Sequence, residues 1–167
     1  MAFFPPGPGG GREVEHGYKR KGSLLHLITD KEGKPLGITT TSAKGNERIQ
    51  ALALLDQLES VRCKNSNNMT ICEADKGYDS AALRMEILRR GYLPIIGYRR
   101  NQKNHISTGD LYAFFKVSKR RWVVERTFSW LKRKCRRLLM RWERLPEVWN
   151  AFAVLGLVFM WLQTLLA

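Results

Sequence analysis

The order of apolar and polar positions predicts strands in the first part of the chain and helices in the last. Residues 17–29 and 35–41 are rich in apolar or β-branched side chains, and the polar turn 30–34 separates them, which predicts a β-hairpin. Asn46 is suited to cap a helix that ends near Ser60. Its expected inner face consists of Ile49, Leu52, Leu55 and Leu58.

The middle of the chain has the pattern of a strand, a helix and a second strand. The apolar run Met69–Ala74 predicts the first strand, and Tyr92–Tyr98 predicts the second. Between them, Asp79 or Ser80 can cap a helix that ends at Gly91 and turns Leu83, Ile87 and Leu88 inward. This order favours a βαβ unit with parallel strands.

Two helices are predicted after a basic, Asn-rich loop at residues 99–110. The first extends from about Val117 to Trp142, and the second from about Glu147 to the end. The second contains an apolar run at residues 151–162, which is shorter than the roughly 20 residues that span a bilayer. We interpret it as a buried core helix, with a membrane anchor as the alternative. The whole pattern predicts an α/β domain.

The charge of the chain favours a polyanionic partner. It has 29 Lys and Arg against 15 Asp and Glu, a net charge of +14. Residues 116–144 hold twelve of the basic residues and two acidic ones, which leaves +10 in this segment. Nucleic acid is the polyanion that such a surface fits best, and a basic protein without such a partner is the alternative. The 3 cysteines show no Cys-x-x-Cys spacing, which favours a reducing cytoplasm over a zinc site or a disulfide framework.

Two acidic residues lie in settings that suit metal-dependent chemistry. Asp75 directly follows a predicted strand, and ligands of α/β sheets bind at strand ends. Glu125 lies in a predicted helix, on nearly the same face as Arg121 and Lys132. A divalent metal held by two carboxylates would activate the attacking oxygen in phosphoryl transfer and offset charge on the phosphate. In the alternative, Asp75 caps the next helix and Glu125 forms a surface ion pair with Arg121.

The segments around these two acids resemble the DDE transposases of bacterial insertion sequences. The matching phrases are Ala-Asp-Lys-Gly-Tyr-Asp-Ser at 74–80 and Lys-Arg-Arg-Trp-Val-Val-Glu-Arg-Thr-Phe-Ser-Trp-Leu-Lys at 119–132. The second resembles the subgroup with a Tyr-Arg-Glu-Lys signature, although Ser118 stands where the signature has Tyr. The similarity extends over nearly the whole chain, from about Gly9 onward.

The resemblance implies a ribonuclease-H-like fold in which acidic residues hold two Mg²⁺ or Mn²⁺ ions and DNA is cut and rejoined at transposon ends. Asp75 matches the second acid and Glu125 the third, so both are expected metal ligands. Arg121 and Lys132 match the Arg and Lys of the signature and complete the expected catalytic set. The expected DNA-binding residues are Lys19, Lys21, Arg126, Arg133, Arg136 and Arg137. The expected partners are DNA, at transposon ends and target, and a second copy in a homodimer, without a membrane.

The first acid of the family has no counterpart before Asp30, which matches a non-catalytic position. Residues 1–11 are therefore expected to be a flexible Gly/Pro-rich start. Residues 12–167 are expected to be a partial catalytic domain that is truncated at its N-terminal strand and ends in C-terminal helices. Such a chain should bind DNA but cleave it poorly unless an upstream portion supplies the missing acid. The alternative is a non-catalytic DNA-binding remnant or an inhibitor of the full transposase.

Overall fold

The computed structural model describes residues 2–17, 20–59, 70–97 and 122–166. They belong to two compact units, one built from residues 1–54 and 123–167 and the other from residues 55–122. Both units combine strands with helices, so the chain is a mixed α/β protein, as predicted. The predicted loop at 99–110 lies outside the described residues, as do Lys19, Ser118 and Arg121.

The first unit is built on an antiparallel sheet whose central strand is β3, Lys21–Thr29. On one side β3 pairs with β4, Pro35–Ser42, which confirms the predicted hairpin. The turn between them is closed by Asp30, whose Oδ1 accepts hydrogen bonds from the backbone N–H of Glu32 at 2.9 Å and of Lys34 at 2.8 Å. On its other side β3 pairs with two short strands, β1 at Ala2–Phe3 and β2 at Glu15–His16.

The Gly/Pro-rich segment 2–11 is packed against this sheet, where the sequence predicted a flexible start with little to pack. Phe3 pairs with Leu25 in β3, and Gly7 donates a backbone hydrogen bond of 3.1 Å to the carbonyl of Lys21. Pro5 is buried. The pairing partners lie about twenty residues further along the chain, which a reading of local pattern does not reveal.

Two helices pack on the sheet and close the core of the first unit. These are α3, helical over residues 122–134, and α4, Pro146–Leu165. The predicted helix end near Trp142 is wrong, because α3 ends at residue 134 and a 3₁₀ turn at Arg136–Leu139 follows. That turn allows Leu138 to enter the core, which also contains Leu25, Leu27, Ile38, Phe128, Leu131, Trp149, Ala153 and Met160.

Helix α4 confirms the second C-terminal helix, but it is buried on one face only. Trp149, Ala153, Gly156 and Met160 face the core, whereas the opposite face exposes large apolar side chains such as Leu155, 60% exposed. By length and composition α4 could cross a membrane, and 22% of its most apolar stretch of 18 residues is buried in the protein. One such helix is weak evidence for a membrane span, because the core helix of a globular domain has the same composition.

Helix α1, Glu47–Glu59, runs from the first unit into the second. Asn46 precedes it as predicted, and its Oδ1 accepts a hydrogen bond of 3.0 Å from the N–H of Arg48. The predicted inner face is partly wrong, since Leu54 and Leu55 are buried while Ile49 is 59% exposed.

The second unit contains the predicted βαβ arrangement. Strand β5, Thr70–Ala74, pairs in parallel with β6, Tyr92–Ile96, and α2, Ala81–Arg89, connects them. Leu83 and Ile87 are buried as predicted, and Leu88 is 38% exposed. Strand β5 ends at Ala74, and Asp75 is therefore the first residue of the loop that follows it.

Candidate functional site

Asp75 lies at the carboxyl end of β5, where the sequence predicted it. Its backbone is extended, and its Oδ1 accepts a hydrogen bond of 2.8 Å from the N–H of Lys76. It thereby caps a 3₁₀ turn at Lys76–Tyr78 that separates β5 from α2. The side chain is half-buried. This cap orients the carboxylate by bonding one of its two oxygens to a rigid turn.

The loop that carries Asp75 is anchored by a buried ion pair. Asp79 is 5% exposed and accepts a hydrogen bond of 2.9 Å from Nη2 of Arg84 in α2. The same nitrogen donates to the carbonyl of Ile96, at the end of β6, at 2.7 Å. The N-cap position of α2 is Ser80. Asp79, which the sequence offered as a cap, instead joins the loop to α2 and through Arg84 to β6.

Glu125 lies on α3, and its side chain is exposed. The opposite face of the helix is fixed in the core by Val123, Phe128 and Leu131. Thr127 adds a buried hydrogen bond of 2.7 Å from its Oγ1 to the carbonyl of Gly33 in the hairpin turn. The helix therefore holds the backbone of Glu125 rigidly while the carboxylate faces solvent.

Lys132, seven residues after Glu125, is half-buried on α3. Its Nζ lies 4.0 Å from the ring centroid of Phe3 in β1. Such a cation–π contact holds an ammonium group without neutralising it. Arg121, its expected catalytic companion, lies outside the described residues.

The two expected metal ligands belong to different units, Asp75 to residues 55–122 and Glu125 to the unit formed by the chain ends. Within the described residues, no three His, Cys, Asp or Glu side chains come together as a metal-binding group. Each acid nevertheless offers the hard oxygen donors that Mg²⁺ and Mn²⁺ prefer. The donor chemistry of each carboxylate, taken by itself, therefore fits these ions.

Of the six expected DNA-binding residues, most are exposed, two also contact other parts of the protein, and one lies outside the described residues. Lys21, Arg133 and Arg136 are exposed, and Lys19 lies outside the described residues. Arg126 donates a hydrogen bond of 2.5 Å to the carbonyl of Glu32 and lies over the Trp130 ring, 4.7 Å from its centroid.

Arg137 is exposed, and it also contacts other side chains of the protein. Its Nη2 lies 2.7 Å from Oε1 of Glu143, and its guanidinium lies over the Phe152 ring. Part of the basic segment thus supports the fold rather than facing solvent alone.

Arg141 is a structural residue, although by sequence it is only one member of the basic segment 116–144. It is 0% exposed, and burial lowers the pKa of its guanidinium, while Glu13, Glu143 and Glu147 raise it. The only sequence signal is the alternation of apolar and charged residues from Met140 to Arg144, which in an extended segment places Arg141 and Glu143 on one side.

Residues 5–161 match the family model of the transposase DDE domain. The chain belongs to this family. Over 140 residues it is 36% identical to a protein of Burkholderia cepacia described as "Putative transposase for insertion sequence element IS402", an alignment that covers 82% of this chain and 61% of that protein. The chain thus spans less than two thirds of the length of this relative. No solved structure matches the chain.

Proposed function

We propose that this chain acts in DNA transposition and contributes two acids, Asp75 and Glu125, to a metal-dependent site that cleaves and joins DNA at the ends of an insertion sequence. Membership of the transposase DDE family carries the proposal. The position of Asp75 at a strand end and of Glu125 on a core-packed helix supports it, because both backbones are held by rigid elements. A ribonuclease-H-like arrangement and action in the cytoplasm belong to the same proposal.

In this proposal Asp75 and Glu125 hold Mg²⁺ or Mn²⁺. The bound ion would lower the pKa of the attacking water or hydroxyl and offset charge on the phosphate. Asp75 is oriented by its bond to the N–H of Lys76, and Glu125 by the packing of α3. Lys132 binds a DNA phosphate near Glu125, and Arg121 assists it. Cleavage also requires the first acid of the family, which neither Asp75 nor Glu125 matches.

The exposed cations of the first unit would hold the DNA backbone. Lys21, Arg133 and Arg136 present charge to solvent, and the net charge of +14 attracts DNA independently of its sequence. A non-catalytic DNA-binding protein would show this same attraction. Metal binding at the two acids is what separates the two functions.

The test is titration of the full chain with Mn²⁺ in the presence of duplex DNA, with free Mn²⁺ measured by electron paramagnetic resonance. Asp75→Asn and Glu125→Gln should each weaken Mn²⁺ binding about tenfold or more. If both acids hold the same ion, the double variant should lose little more than either single variant. Glu47→Gln, at an exposed acid of α1, is the matched control and should leave binding unchanged. Equal Mn²⁺ binding in all variants, with DNA binding intact, would establish the non-catalytic alternative.

We further propose that the chain forms a homodimer through the exposed face of α4. Along this face exposed apolar residues recur three and four residues apart, at Val148, Ala151, Leu155, Val158, Leu162 and Leu165. This spacing is that of the contact positions between paired helices, and none of these residues is charged. Light scattering should therefore give twice the chain mass, and Leu155→Glu should give the monomer mass. Met85→Glu, at an equally apolar exposed position of α2, should leave the dimer intact. A wild-type chain with the mass of a monomer would refute the proposed homodimer.

A further inference from the structure

Residues 140–144, here termed the inverted loop, place charged side chains inside and apolar side chains outside. Arg141 is 0% and Glu143 9% exposed, whereas Met140 is 44% and Trp142 54% exposed. Arg and Glu are almost never fully buried unless they are paired, and large apolar side chains usually occupy the interior. A reversal of both preferences in neighbouring residues implies that the outward apolar side chains have a role outside the core.

Hydrogen bonds of the two buried residues fix this reversal. Arg141 donates to the carbonyl of Arg12 at 2.6 Å, to Oγ of Ser23 at 2.6 Å and to the carbonyl of Glu143 at 3.0 Å. The carboxylate of Glu143 accepts from Nε of Arg137 at 2.8 Å. Because both charges have partners inside the unit, the alternating loop must direct Trp142 outward.

The backbone of the inverted loop is also held by the Gly/Pro-rich segment. The N–H of Arg141 donates to the carbonyl of Pro6 at 2.8 Å, and the N–H of Arg12 donates to the carbonyl of Arg144 at 3.1 Å. A Cβ at Gly9 would lie 2.7 Å from the carbonyl oxygen of Trp142. The backbones approach so closely that only glycine fits at this position. The exposed indole of Trp142 therefore stands on a rigid base.

The neighbours of Trp142 in the chain combine exposed apolar side chains with exposed cations. Leu139 and Leu145, on either side of the loop, are 42% and 52% exposed. Arg136 and Arg144 are exposed beside them in the chain. An aromatic ring stacks on the face of a nucleobase, and neighbouring arginines bind the phosphates of the same strand. In a paired duplex the base faces are covered by their neighbours, so this surface fits unpaired bases.

We propose that the inverted loop binds single-stranded DNA, with Trp142 stacked on an unpaired base and Arg136 and Arg144 on the adjacent phosphates. The inference rests on the proposed function, because it takes DNA as the substrate, and it adds which form of DNA this surface selects. Strand ends that open before or after cleavage present such bases.

The experiment compares binding of the full chain to a fluorescent oligo-dT and to a blunt duplex, both without metal and in chelator. Trp142→Ala should weaken oligo-dT binding about tenfold and leave duplex binding within about twofold, since stacking requires an accessible base. Trp142→Phe should retain most of the oligo-dT affinity. Trp122→Ala, at another tryptophan that is 53% exposed, is the matched control and should change neither. The slope of log K against log salt concentration measures how many phosphates the protein contacts. Arg136→Ala and Arg144→Ala should each reduce the magnitude of this slope for oligo-dT by about 0.7.

Two outcomes would overturn the inference, and they differ in what they say about the proposed function. In the first outcome, the wild-type chain binds DNA, but Trp142→Ala weakens the binding of oligo-dT and of duplex equally, or weakens neither. Stacking on unpaired bases is then wrong, while DNA binding stands. If the wild-type chain binds neither ligand, both proposals fail. Retained affinity of Trp142→Phe, with the thermal midpoint of Trp142→Ala unchanged, shows that the loss does not come from misfolding.

Discussion

Replacement of Arg141 by Ala should destabilise the first unit severely. The guanidinium is fully buried and donates hydrogen bonds to three acceptors, the Arg12 carbonyl, Ser23 Oγ and the Glu143 carbonyl. Removing one partner of a buried charged network costs about 3–5 kcal/mol, because the remaining polar groups stay buried and unpaired. For a chain of this size, such a loss lowers the thermal midpoint by roughly 10 °C.

The assay is urea unfolding followed by tryptophan fluorescence, with Arg141→Met and Arg144→Ala beside Arg141→Ala. Arg141→Met restores most of the side-chain volume but none of the hydrogen bonds, so it should remain strongly destabilised. Arg144 is exposed on the same loop, and its replacement should change the free energy of unfolding by no more than about 0.5 kcal/mol. The reasoning is refuted if Arg141→Ala has the same urea midpoint as the wild-type chain. It is also refuted if Arg144→Ala lowers the free energy of unfolding as much as Arg141→Ala does.

Three further changes test other parts of the structure. Burial lowers the pKa of His26 from 6.5 to about 4, so the unfolded chain binds more protons between these values. The free energy of unfolding should therefore fall from pH 6.5 toward pH 4 in urea titrations, and His26→Gln should reduce that fall. Asp79→Ala removes the buried carboxylate that pairs with Arg84 and should lower the free energy of unfolding by about 3 kcal/mol in the same titration. Asp79→Asn should lower it less. Gly11→Ala should cost about 2 kcal/mol or more, since φ is +106° and a Cβ would lie 2.4 Å from the carbonyl oxygen of Arg144; an unchanged thermal midpoint would contradict this.

The sequence predicted those elements whose signal is local. The hairpin, the βαβ order and α4 follow from turn residues and from the period of apolar positions, and the structure confirms them. The pairing of β1 with β3 and the early end of α3 could not be read locally, because residues distant in sequence decide them.

The same distinction holds for the candidate site. The strand-end position of Asp75 was predictable from the apolar run before it. The burial of Arg141 was not, because an Arg within a basic segment has the pattern of a solvated surface. Its acceptors include Ser23 and Arg12, more than a hundred residues earlier, and only the fold brings them together.

The first unit is discontinuous in the chain, and this has a consequence for its synthesis. The core residues Leu25, Leu27 and Ile38 emerge from the ribosome long before α3 and α4, which cover them. Residues 55–122 form a contiguous unit that can fold during this interval. The nascent sheet should therefore depend on chaperones until the last helix is released, and the chain should aggregate when translation stops before α4.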